Sequence, residues 1–591
     1  MSLLTSFQRW QKNKMIWQIA HKIPKKNRKA LSNYSDIEAQ LLYNKGIKSN
    51  SDAKKYFDPK LENIAAANLL PNAKKAAALI LSAVKEKKKI FIYGDYDVDG
   101  ICATSILFDF LYRKLKANVL PYIPDRFEEG YGLNKIGLDY ILKEGGQLVI
   151  TVDCGIRDAK LIKKYSEKGL EFIITDHHTL PTKTADGKDD IQKSASAVVH
   201  PQLGKYEFQN ICATAVVWKL VQVMSSKKDI VLPDEYIDLV ALATVCDLMP
   251  LTSENRDIVS AGIKYIKENK SNKGLKEIIK LAQLDINIFD SYHFGFVVGP
   301  RLNAAGRIDH ALNGVRLFTS SNSEQISNLA LKLHSLNIKR QELTEKMLKE
   351  SQEDAQKQVA EGHKLIFVAR KDWSEGIVGL IAGRLSEKFF LPVLAASIRE
   401  DDVKGSARSI PGFDITKAIS KNEKLLTKFG GHNQAAGFSL NKENLEKFIK
   451  SMHLVAKKEL TDDMLLKLIE VDLELGSQDI NIELIEKTLS KFRPFGFGNK
   501  EPVFAIRNIS IIQAPQLMGA SGQHLKFSVQ TTINSVVDST IFEVVAFNNA
   551  QKFFGKLNMQ KRYDIAGTFG INEWRGNKII QLKLRELIQL E

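Results

Sequence analysis

The sequence predicts an α/β protein: a parallel-sheet lobe, a second α/β lobe, a long helix between them and a small β-barrel near the C-terminal end. Short apolar segments rich in β-branched residues alternate with helical segments, as in parallel sheets covered on both faces. Residues 320–361 contain neither glycine nor proline and are mostly polar, which predicts a helix of up to roughly 60 Å. The last part of the chain alternates polar and apolar residues between turns, which is typical of a barrel.

The chain of 591 residues is too long for one hydrophobic core and indicates several domains. Its composition changes along its length, and the first part is helical in pattern and rich in lysine. The predicted division is a helical region at 1–70, the first lobe at 71–270, a helical connector at 271–360, the second lobe at 361–460 and the barrel at 461–591.

The predicted strands are short apolar runs in the two lobes and alternating segments in the barrel. In the first lobe the runs are IFIY at 90–93, VLPYI at 119–123, LVITV at 148–152, FIIT at 172–175 and AVV at 197–199. The second lobe has KLIFVA at 364–369 and LPVLAASI at 391–398, and the barrel has FAIRNISII, LKFSVQTT and TIFEVVAF.

Charge and cysteine usage limit the function classes. The formal net charge is +16 and the pI is about 9.3, which favours a polyanionic partner such as nucleic acid. Four cysteines without a C-x-x-C pair indicate neither a zinc cage nor a disulfide framework, so a reducing compartment is expected. We find no signal-peptide pattern, and YIDLVALATVC is too short to span a bilayer; the prediction is a cytoplasmic protein without membrane association.

The segment FIYGDYDVDG, residues 91–100, places Asp95, Asp97 and Asp99 directly after a strand. D-x-D-x-D-G also begins an EF-hand, but the position of the closing glutamate is Ile106 and the preceding segment is β-like. A solvated acidic turn is the simpler alternative. If the segment is sheltered from water, three like charges this close need a cation among them.

Further metal-type residues follow other apolar segments. Asp153 follows LVITV, Asp176-His177-His178 follows FIIT, and Asp247 follows ALATVC. Each aspartate alone could be a helix cap or an ion-pair partner, but active sites of open α/β sheets form beyond the carboxyl ends of the strands. Carboxylates and imidazoles without thiolates suit Mn²⁺ or Mg²⁺, and this many ligands could hold two ions about 3.5–4 Å apart.

These motifs make the sequence recognisable. DYDVDG, VDCG, TDHH and the aspartate of TVCD resemble the four motifs of the DHH phosphoesterase family. PDRFEEGYGLN, GPRLNAAGR, KGSARS, GGHNQAAGF and FRPFGFGNKEPVF resemble the RecJ single-strand exonucleases within it. The resemblance implies a DHH domain, a DHHA1 domain and an OB-fold that enclose a channel. It also implies metal-dependent 5′-to-3′ degradation of single-stranded DNA to mononucleotides, in recombination and repair.

The resemblance also assigns residues. The implied metal ligands are Asp95, Asp97, Asp99, Asp153, His177 and Asp247. Asp176 would hold the imidazole as a hydrogen-bond acceptor, and His178 would face the scissile phosphate or complete the second metal site. Catalysis would therefore involve Asp97, Asp176, His177 and His178, with a water activated by the ions as the nucleophile. Some relatives carry histidine where this chain has Tyr93, so one ion is the firmer expectation.

DNA contacts are implied in the same way. Arg126, Arg301, Ser406 and Arg408 would line a pocket for the terminal 5′-phosphate, where guanidinium groups match phosphate oxygens. Asn303, Arg307 and His432 would lie near the same cleft. Phe495, Phe497 and Trp574 are candidates for stacking against bases, although aromatics in small barrels are more often core residues.

Two other functions stay open at this stage. One is a phosphodiesterase for short oligonucleotides or cyclic dinucleotides, which would need only the two α/β lobes. The other is a catalytically silent DNA-binding scaffold, which would have little reason to keep so much clustered negative charge. A single-strand-binding protein and a helicase are expected partners from the family alone, and the protein is expected to be a monomer.

Overall fold

The computed structural model describes residues 16–590, except 127, 182–190, 231, 233–235, 534–535 and 575. The chain forms two compact units. The smaller contains mainly residues 332–469, and the larger contains mainly residues 18–306 and 470–591. None of the helices within the described residues combines the length and the apolar character that crossing a membrane would require.

The N-terminal region of the larger unit is mostly helical. Its elements are β1 (Ile16–Ile19), α1 (Lys25–Ala30), α2 (Asp36–Asn44) and α3 (Asn50–Phe57). Helix α2 begins with a capping box: the Ser35 side chain accepts from the Glu38 N–H, and Glu38 accepts from the Ser35 N–H. The start of this helix is therefore fixed by local sequence.

The first lobe contains a five-stranded, fully parallel sheet, which confirms the predicted fold class. Its strands are β2 (Ile90–Tyr93), β3 (Val119–Tyr122), β4 (Leu148–Val152), β5 (Glu171–Thr175) and β6 (Ala197–Val199), in the order β3-β2-β4-β5-β6. The helices between and around them are α4 (Ala73–Lys85), α5 (Val98–Asp109), α6 (Lys135–Lys143), α7 (Ala159–Ser166), α8 (Ile191–Ser194) and α9 (Ala213–Ser226). Strands β2 and β4 are almost fully buried, so their sequences are continuously apolar rather than alternating.

Helices follow the sheet. They are α10 (Ile237–Cys246), α11 (Ser253–Lys267), α12 (Lys273–Leu281), α13 (Ser291–His293), α14 (Gly299–Ile308), α15 (Leu312–Thr319) and α16 (Ser323–Ala360). Helix α16 has 38 residues, which confirms the long helix expected from residues 320–361.

The smaller unit has a mixed sheet. Its strands are β7 (Ile366–Lys371), β8 (Val393–Ile398), β9 (Asp402–Arg408), β10 (Lys428–His432) and β11 (Ala435–Asn441), in the order β10-β11-β9-β8-β7. Strands β7 and β8 are parallel, whereas β9 returns directly from β8 as an antiparallel hairpin. The helices are α17 (Glu375–Phe389), α18 (Ile415–Ser420) and α19 (Leu445–Glu459).

The C-terminal region is a closed barrel of the OB type, as predicted. Two short strands, β12 (Leu468–Val471) and β13 (Leu473–Glu474), precede β14 (Phe504–Met518), β15 (His524–Ile533), β16 (Val536–Ala546), α20 (Ala550–Phe553), β17 (Arg562–Trp574) and β18 (Asn577–Gln589). Pairing of β14 with β17 closes the sheet. Leu31, Leu41 and Leu42 of the N-terminal region belong to the same buried core as Phe504 and Phe527 of the barrel.

Candidate active site

The segment after β2 turns sharply into helix α5. Asp97 caps this helix, because its carboxylate accepts from the N–H groups of Asp99 (2.9 Å) and Gly100 (3.1 Å). A side chain at Gly100 would meet the backbone oxygen of Asp95 at 2.5 Å, so only glycine permits this crossing. The turn brings the carboxylate-bearing residues of DYDVDG to the carboxyl end of the sheet.

Asp99 is held by the N-terminal end of α9. Its carboxylate accepts from the Ala213 N–H (2.7 Å), the Thr214 N–H (2.8 Å) and the Thr214 hydroxyl (2.5 Å). Both the free amides and the dipole of a helix N-terminus favour a negative group there. The Asp99 side chain is therefore fixed in one orientation.

Asp153 follows β4 in a left-handed backbone conformation, with φ of +63° and 2% exposure. Such a conformation is costly for a residue other than glycine and is typical of functional positions. The Tyr131 hydroxyl donates to the backbone oxygen of Asp153 (3.1 Å) and also lies 3.2 Å from Nδ1 of His178. Tyr131 thereby connects the loop after β3 to two of the candidate site residues.

Asp176 organises the two histidines that follow it. Its Oδ1 accepts from the backbone N–H of His177 (2.7 Å) and lies 2.8 Å from Nδ1 of His178, and its Oδ2 accepts from the Ile156 N–H (3.0 Å). The expected acceptor role of Asp176 is thus directed at the ring of His178, whereas it contacts His177 through the backbone. The Nε2 of His177 instead lies near the carboxylates of Asp153, Asp247 and Asp99.

His200 supports His178 from the next strand. Its Nδ1 accepts from the Gln202 N–H (3.1 Å), so its Nε2 carries the proton and donates to the His178 carbonyl (2.8 Å). His200 is fully buried at the end of β6. The His178 N–H donates to Asp176 Oδ1 (3.1 Å), so the backbone of His178 is fixed at both its N–H and its carbonyl.

The predicted metal ligands converge at one place. His177 Nε2 lies 3.3 Å from Asp153 Oδ1, 3.4 Å from Asp247 Oδ2 and 3.7 Å from Asp99 Oδ2. Three overlapping groups have ligand atoms close enough together for an ion: Asp99, His177 and Asp247; Asp95, Asp97 and Asp153; and Asp153, His177 and His178.

Several of these atoms are buried and lack a hydrogen-bond partner in the part of the chain that the structure describes. Within the described residues, Asp95 Oδ1, Asp153 Oδ1, His177 Nε2 and Asp247 Oδ2 have no hydrogen-bond partner. Buried polar atoms are normally paired, so a cluster of orphaned ligand atoms facing one another fits a bound cation. The residues present therefore suit a divalent metal with oxygen and nitrogen ligands.

Electrostatics agree with this fit. Burial, then the neighbouring carboxylates, raise the pKa of Asp95, Asp97, Asp153 and Asp247 above the usual value. Burial would also raise the pKa of Asp176, but the hydrogen bond and positive charge of His178 lower it to about 2. A dication among these carboxylates would offset their burial and their mutual repulsion, and would therefore keep them ionised.

Tyr93 does not point into this cluster. Its hydroxyl accepts from the Asn134 amide (2.7 Å) and donates to the Gly132 carbonyl (3.2 Å), both in the loop after β3. The position that carries histidine in some relatives thus fastens a loop in this chain. The second ion, if present, would rely on Asp95, Asp97 and Asp153.

The predicted DNA-binding residues divide between the two units. In the larger unit, the Arg126 guanidinium lies 4.8 Å from the ring centre of Tyr96, and Arg301 donates to the Val297 carbonyl (2.6 Å). Asn303 lines a cavity together with Cys246 and Leu248, the neighbours of Asp247. Phe497 lines the same cavity and is exposed, whereas the side chain of Trp574 lies outside the described part of the chain.

In the smaller unit, Ser406 and Arg408 lie side by side on β9. Arg408 Nη1 is 3.1 Å from Ser406 Oγ, and both side chains lie against Gly379 of α17. Arg307 donates to the Gly376 carbonyl at the start of the same helix (2.7 Å). His432 is exposed at the end of β10.

Sequence reasoning missed Tyr131, His200 and Thr214. Tyr131 lies within PDRFEEGYGLN, so attention to the polar side chains of that motif could have found it. His200 follows a predicted strand, as the metal-type residues do, and was available by the same argument. Nothing local marks Thr214, because its contact with Asp99 spans 115 residues of sequence.

Three family models match the chain: the DHH family, N-terminal domain, over residues 89–244; the DHHA1 domain over 362–458; and the RecJ OB domain over 471–586. The single-stranded-DNA-specific exonuclease RecJ of Bacillus subtilis is 34% identical over 580 residues, covering 97% of this chain and 71% of that protein. Its counterpart in Haemophilus influenzae is 30% identical over 547 residues, covering 89% and 92%.

Solved structures give the same result. The crystal structure of RecJ from Thermus thermophilus in complex with Mn²⁺ has a TM-score of 0.78 and 25% identity, covering 98% of this chain and 80% of that chain. The parallel sheet at whose carboxyl end these carboxylates and imidazoles gather lies within the match to the DHH family, N-terminal domain, so the class of protein is the DHH family. The chain belongs to the RecJ family of exonucleases.

Proposed function

We propose that this protein is a metal-dependent exonuclease that degrades single-stranded DNA from the 5′ end to 5′-mononucleotides. The observation that carries this proposal is the buried cluster of four ligand atoms without hydrogen-bond partners among the described residues, at the carboxyl end of the parallel sheet. Membership in the RecJ family supports the substrate, and the family member solved with Mn²⁺ supports the cofactor.

Mn²⁺ or Mg²⁺ is the cofactor proposed for this cluster. Asp99, His177 and Asp247 would hold one ion, and Asp95, Asp97 and Asp153 a second. When bound, such ions acidify water, polarise the phosphoryl oxygens and neutralise charge on the leaving oxygen. Coordination by six side chains from four separate segments would also explain why these segments meet.

His178 is placed to act on the phosphate. Burial lowers its pKa, but the hydrogen bond to Asp176 and the charge of Asp176 raise it above the usual histidine value. A protonated ring held this way can donate to a phosphate oxygen and stabilise its charge in the transition state. Asp176, Tyr131 and His200 position that ring or its backbone.

Recognition of the 5′ end is assigned to Ser406 and Arg408. They adjoin α17, where a side chain at Gly379 would crowd the Ser406 hydroxyl (3.1 Å) and the Arg408 guanidinium (3.4 Å). A hydroxyl next to a guanidinium suits the oxygens of a terminal phosphate. Arg126 and Arg301 remain predictions for the same pocket of the terminal 5′-phosphate, and Asn303, Arg307 and His432 remain predictions for positions near it.

The direct test compares substrates. Purified protein is incubated with a 5′-phosphorylated long single strand, a duplex and a dinucleotide, with Mn²⁺, with Mg²⁺ or with chelator. Mononucleotide release from the long single strand, only with metal and lost in Asp97→Ala and His177→Ala, is the expected result. Preference for the dinucleotide would instead indicate a short-oligonucleotide phosphodiesterase, and binding without cleavage would indicate a scaffold.

The direction of degradation and the recognition of the 5′-phosphate need a separate measurement. A strand labelled at its 3′ end should shorten progressively, and removal of the 5′-phosphate should slow the wild type. Arg408→Ala should be slow on both strands, so that its response to the phosphate disappears. If Arg408→Ala still responds as the wild type does, the phosphate assignment is wrong.

A further inference from the structure

Tyr131 reaches the candidate active site from a loop in which it stands between two left-handed glycines. Residues 130–134, here called the 130–134 loop, directly precede helix α6. Gly130 and Gly132 have φ of +81° and +83°. Glycine enters this region of conformation easily and also leaves it easily, so the loop backbone alone fixes the direction of Tyr131 poorly. Contacts from outside the loop are needed to fix it.

The hydroxyl of Tyr131 is the contact between this loop and the candidate site. It donates to the Asp153 carbonyl (3.1 Å) and lies 3.2 Å from Nδ1 of His178. The rings of Tyr131 and His178 also meet edge to face, with centroids 5.7 Å apart. The Tyr131 side is 51% exposed, so packing holds only part of the residue. A shift of the loop would therefore move the hydroxyl away from His178.

Tyr93 supplies a contact from outside the loop. It is fully buried at the end of β2, where its ring centre lies 5.1 Å from that of Tyr122. Its hydroxyl donates to the Gly132 carbonyl (3.2 Å), one residue after Tyr131, and accepts from the Asn134 amide (2.7 Å). A buried strand thus holds the loop at two points close to Tyr131.

The end of the 130–134 loop is fixed by helix α6. The Asn134 side chain caps this helix, because its Oδ1 accepts from the Gly137 N–H (2.8 Å) while its amide donates to Tyr93. A side chain at Gly137 would meet the Tyr93 hydroxyl at 3.0 Å, so glycine permits this close approach. The Leu133 N–H donates to Asp158 Oδ2 (3.3 Å). The Tyr93 hydroxyl therefore belongs to a network that ties the loop to the lobe.

We infer that Tyr93 is a positioning residue for the proposed reaction: through the Gly132 carbonyl it holds Tyr131 against His178, and so keeps the His178 ring directed at the phosphate. This inference rests on the proposed function of His178. It gives a role to a side chain that does not point into the metal cluster. A protein without this hydroxyl should fold and bind metal but react slowly.

Tyr93→Phe removes the hydroxyl and keeps the ring. On a 5′-phosphorylated single strand with Mn²⁺, we expect kcat to fall about fivefold to tenfold, because His178 is held less often in its reactive orientation. KM and the Mn²⁺ affinity measured by isothermal titration should stay at the wild-type values, since the hydroxyl bonds to Gly132 and Asn134 rather than to a proposed metal ligand. A wild-type kcat in this variant would overturn the inference.

The matched control is Tyr165→Phe. Tyr165 is also a fully buried tyrosine of this lobe, and its hydroxyl donates to Asp139 of helix α6 (2.7 Å) rather than to the loop. Urea denaturation should show a similar loss of stability in Tyr165→Phe and Tyr93→Phe, but Tyr165→Phe should keep the wild-type kcat. An equal fall of kcat in both variants would indicate a general loosening of the lobe and would count against a positioning role.

A double-variant cycle tests the route through Tyr131. Tyr131→Phe should lower kcat by itself. Adding Tyr93→Phe to it should lower kcat no further, because the hydroxyl through which Tyr93 acts is then already absent. Losses that simply multiply would show that Tyr93 acts by another route.

A readout that needs no cleavage separates this inference from the proposed function. Fluorotyrosine placed at position 131 reports its surroundings by fluorine NMR. Its resonance should lie away from that of free fluorotyrosine in the wild type and in Tyr165→Phe, and should move towards it in Tyr93→Phe. If the resonance moves but the wild type releases no mononucleotide, the proposed function is wrong and the hold of Tyr93 on Tyr131 stands. If the wild type cleaves but the resonance does not move, this inference is wrong and the proposed function stands.

Discussion

Asp99 shows how a single residue in the cluster is positioned. Three donors from the start of α9 fix its carboxylate, and one of them is the Thr214 hydroxyl. Groups that orient metal ligands contribute to metal affinity although they do not touch the ion.

Thr214→Val keeps the side-chain shape and removes this hydroxyl. We expect metal affinity to fall about tenfold, because Asp99 loses a charge-assisted hydrogen bond. Isothermal titration with Mn²⁺ measures it directly. Thr214→Ser retains the hydroxyl and should bind metal like the wild type; equal affinity in Thr214→Val would remove Thr214 from this role.

His453, in the smaller unit, is expected to make the stability of the protein depend on pH. Burial, and next the charge of His363, whose ring centre lies 4.2 Å away, lower its pKa from 6.5 to about 4. Between these values the unfolded chain binds a proton that the folded chain does not, so stability falls as pH falls from 6.5 towards 4.

The variant His453→Gln should lose less stability than the wild type when the pH is lowered. Urea unfolding at about pH 7.5 and about pH 4.5 would show a smaller decrease in the variant than in the wild type. His363→Gln is the control: it removes the charged neighbour but not the burial, so it should keep most of the dependence. Equal decreases in wild type and His453→Gln would show that this histidine is not responsible.

At the residue scale, one part of the candidate site could be predicted from the sequence and another part could not. Asp95, Asp97, Asp99, Asp153, His177 and Asp247 were predicted as metal ligands because they follow apolar segments. For all but Asp247, which follows helix α10, these segments are parallel strands that end at one edge of the sheet. Which ring Asp176 contacts depends on the turn after β5, and the support from Thr214 and His200 comes through contacts between distant segments. No local pattern encodes such contacts.

At the scale of elements, the segment 491–499 connects three parts of the larger unit. Arg256 of α11 donates to the carbonyls of Tyr56, Phe492 and Arg493, and its guanidinium stacks 3.9 Å from the ring centre of Tyr56. Buried carbonyls that lose their donor are costly.

Arg256→Met should lower the free energy of unfolding by about 3 kcal/mol or more, because several carbonyls would be left unsatisfied. Arg256→Lys keeps the charge but not the planar set of donors, so its loss should be smaller. Urea denaturation of both variants measures the difference. Unfolding of Arg256→Met at the wild-type urea concentration would contradict this assignment.

The sequence predicted strands well where every residue of the strand is buried. It predicted them less well where the strand is defined by antiparallel pairing with a neighbour. The five strands of the first lobe and helix α16 follow directly from apolar runs and from the absence of glycine and proline. Strands β9, β10 and β11 were not predicted, because they are partly exposed and contain glycines, as in KGSARS and GGH. Their pairing is decided by hairpins rather than by hydrophobic pattern.

At the scale of the whole molecule, the N-terminal helices and the barrel share one core. Leu42 of α2 is fully buried among barrel residues such as Phe504 and Phe527. The predicted five-region division, which sets residues 1–70 apart from residues 461–591, stays a prediction. The shared core indicates that these two regions stabilise each other.

Leu42→Ala should therefore destabilise the barrel although it lies outside it. The expected cost is about 2–5 kcal/mol, the usual range for a buried leucine. Hydrogen exchange of the β14 amides should accelerate. Asp36→Ala, an exposed position on the same helix, should change exchange little, and unchanged protection in Leu42→Ala would show that the barrel folds independently.

The shared core also has a consequence for biosynthesis. The Asn44 side chain donates to Asp472, 428 residues later in the chain. At about 5–20 residues per second, a ribosome needs roughly 20–90 s to synthesise the intervening chain. During that interval the leucines of α2 have no barrel to cover them, so nascent chains are expected to need chaperone protection at their N-terminal end.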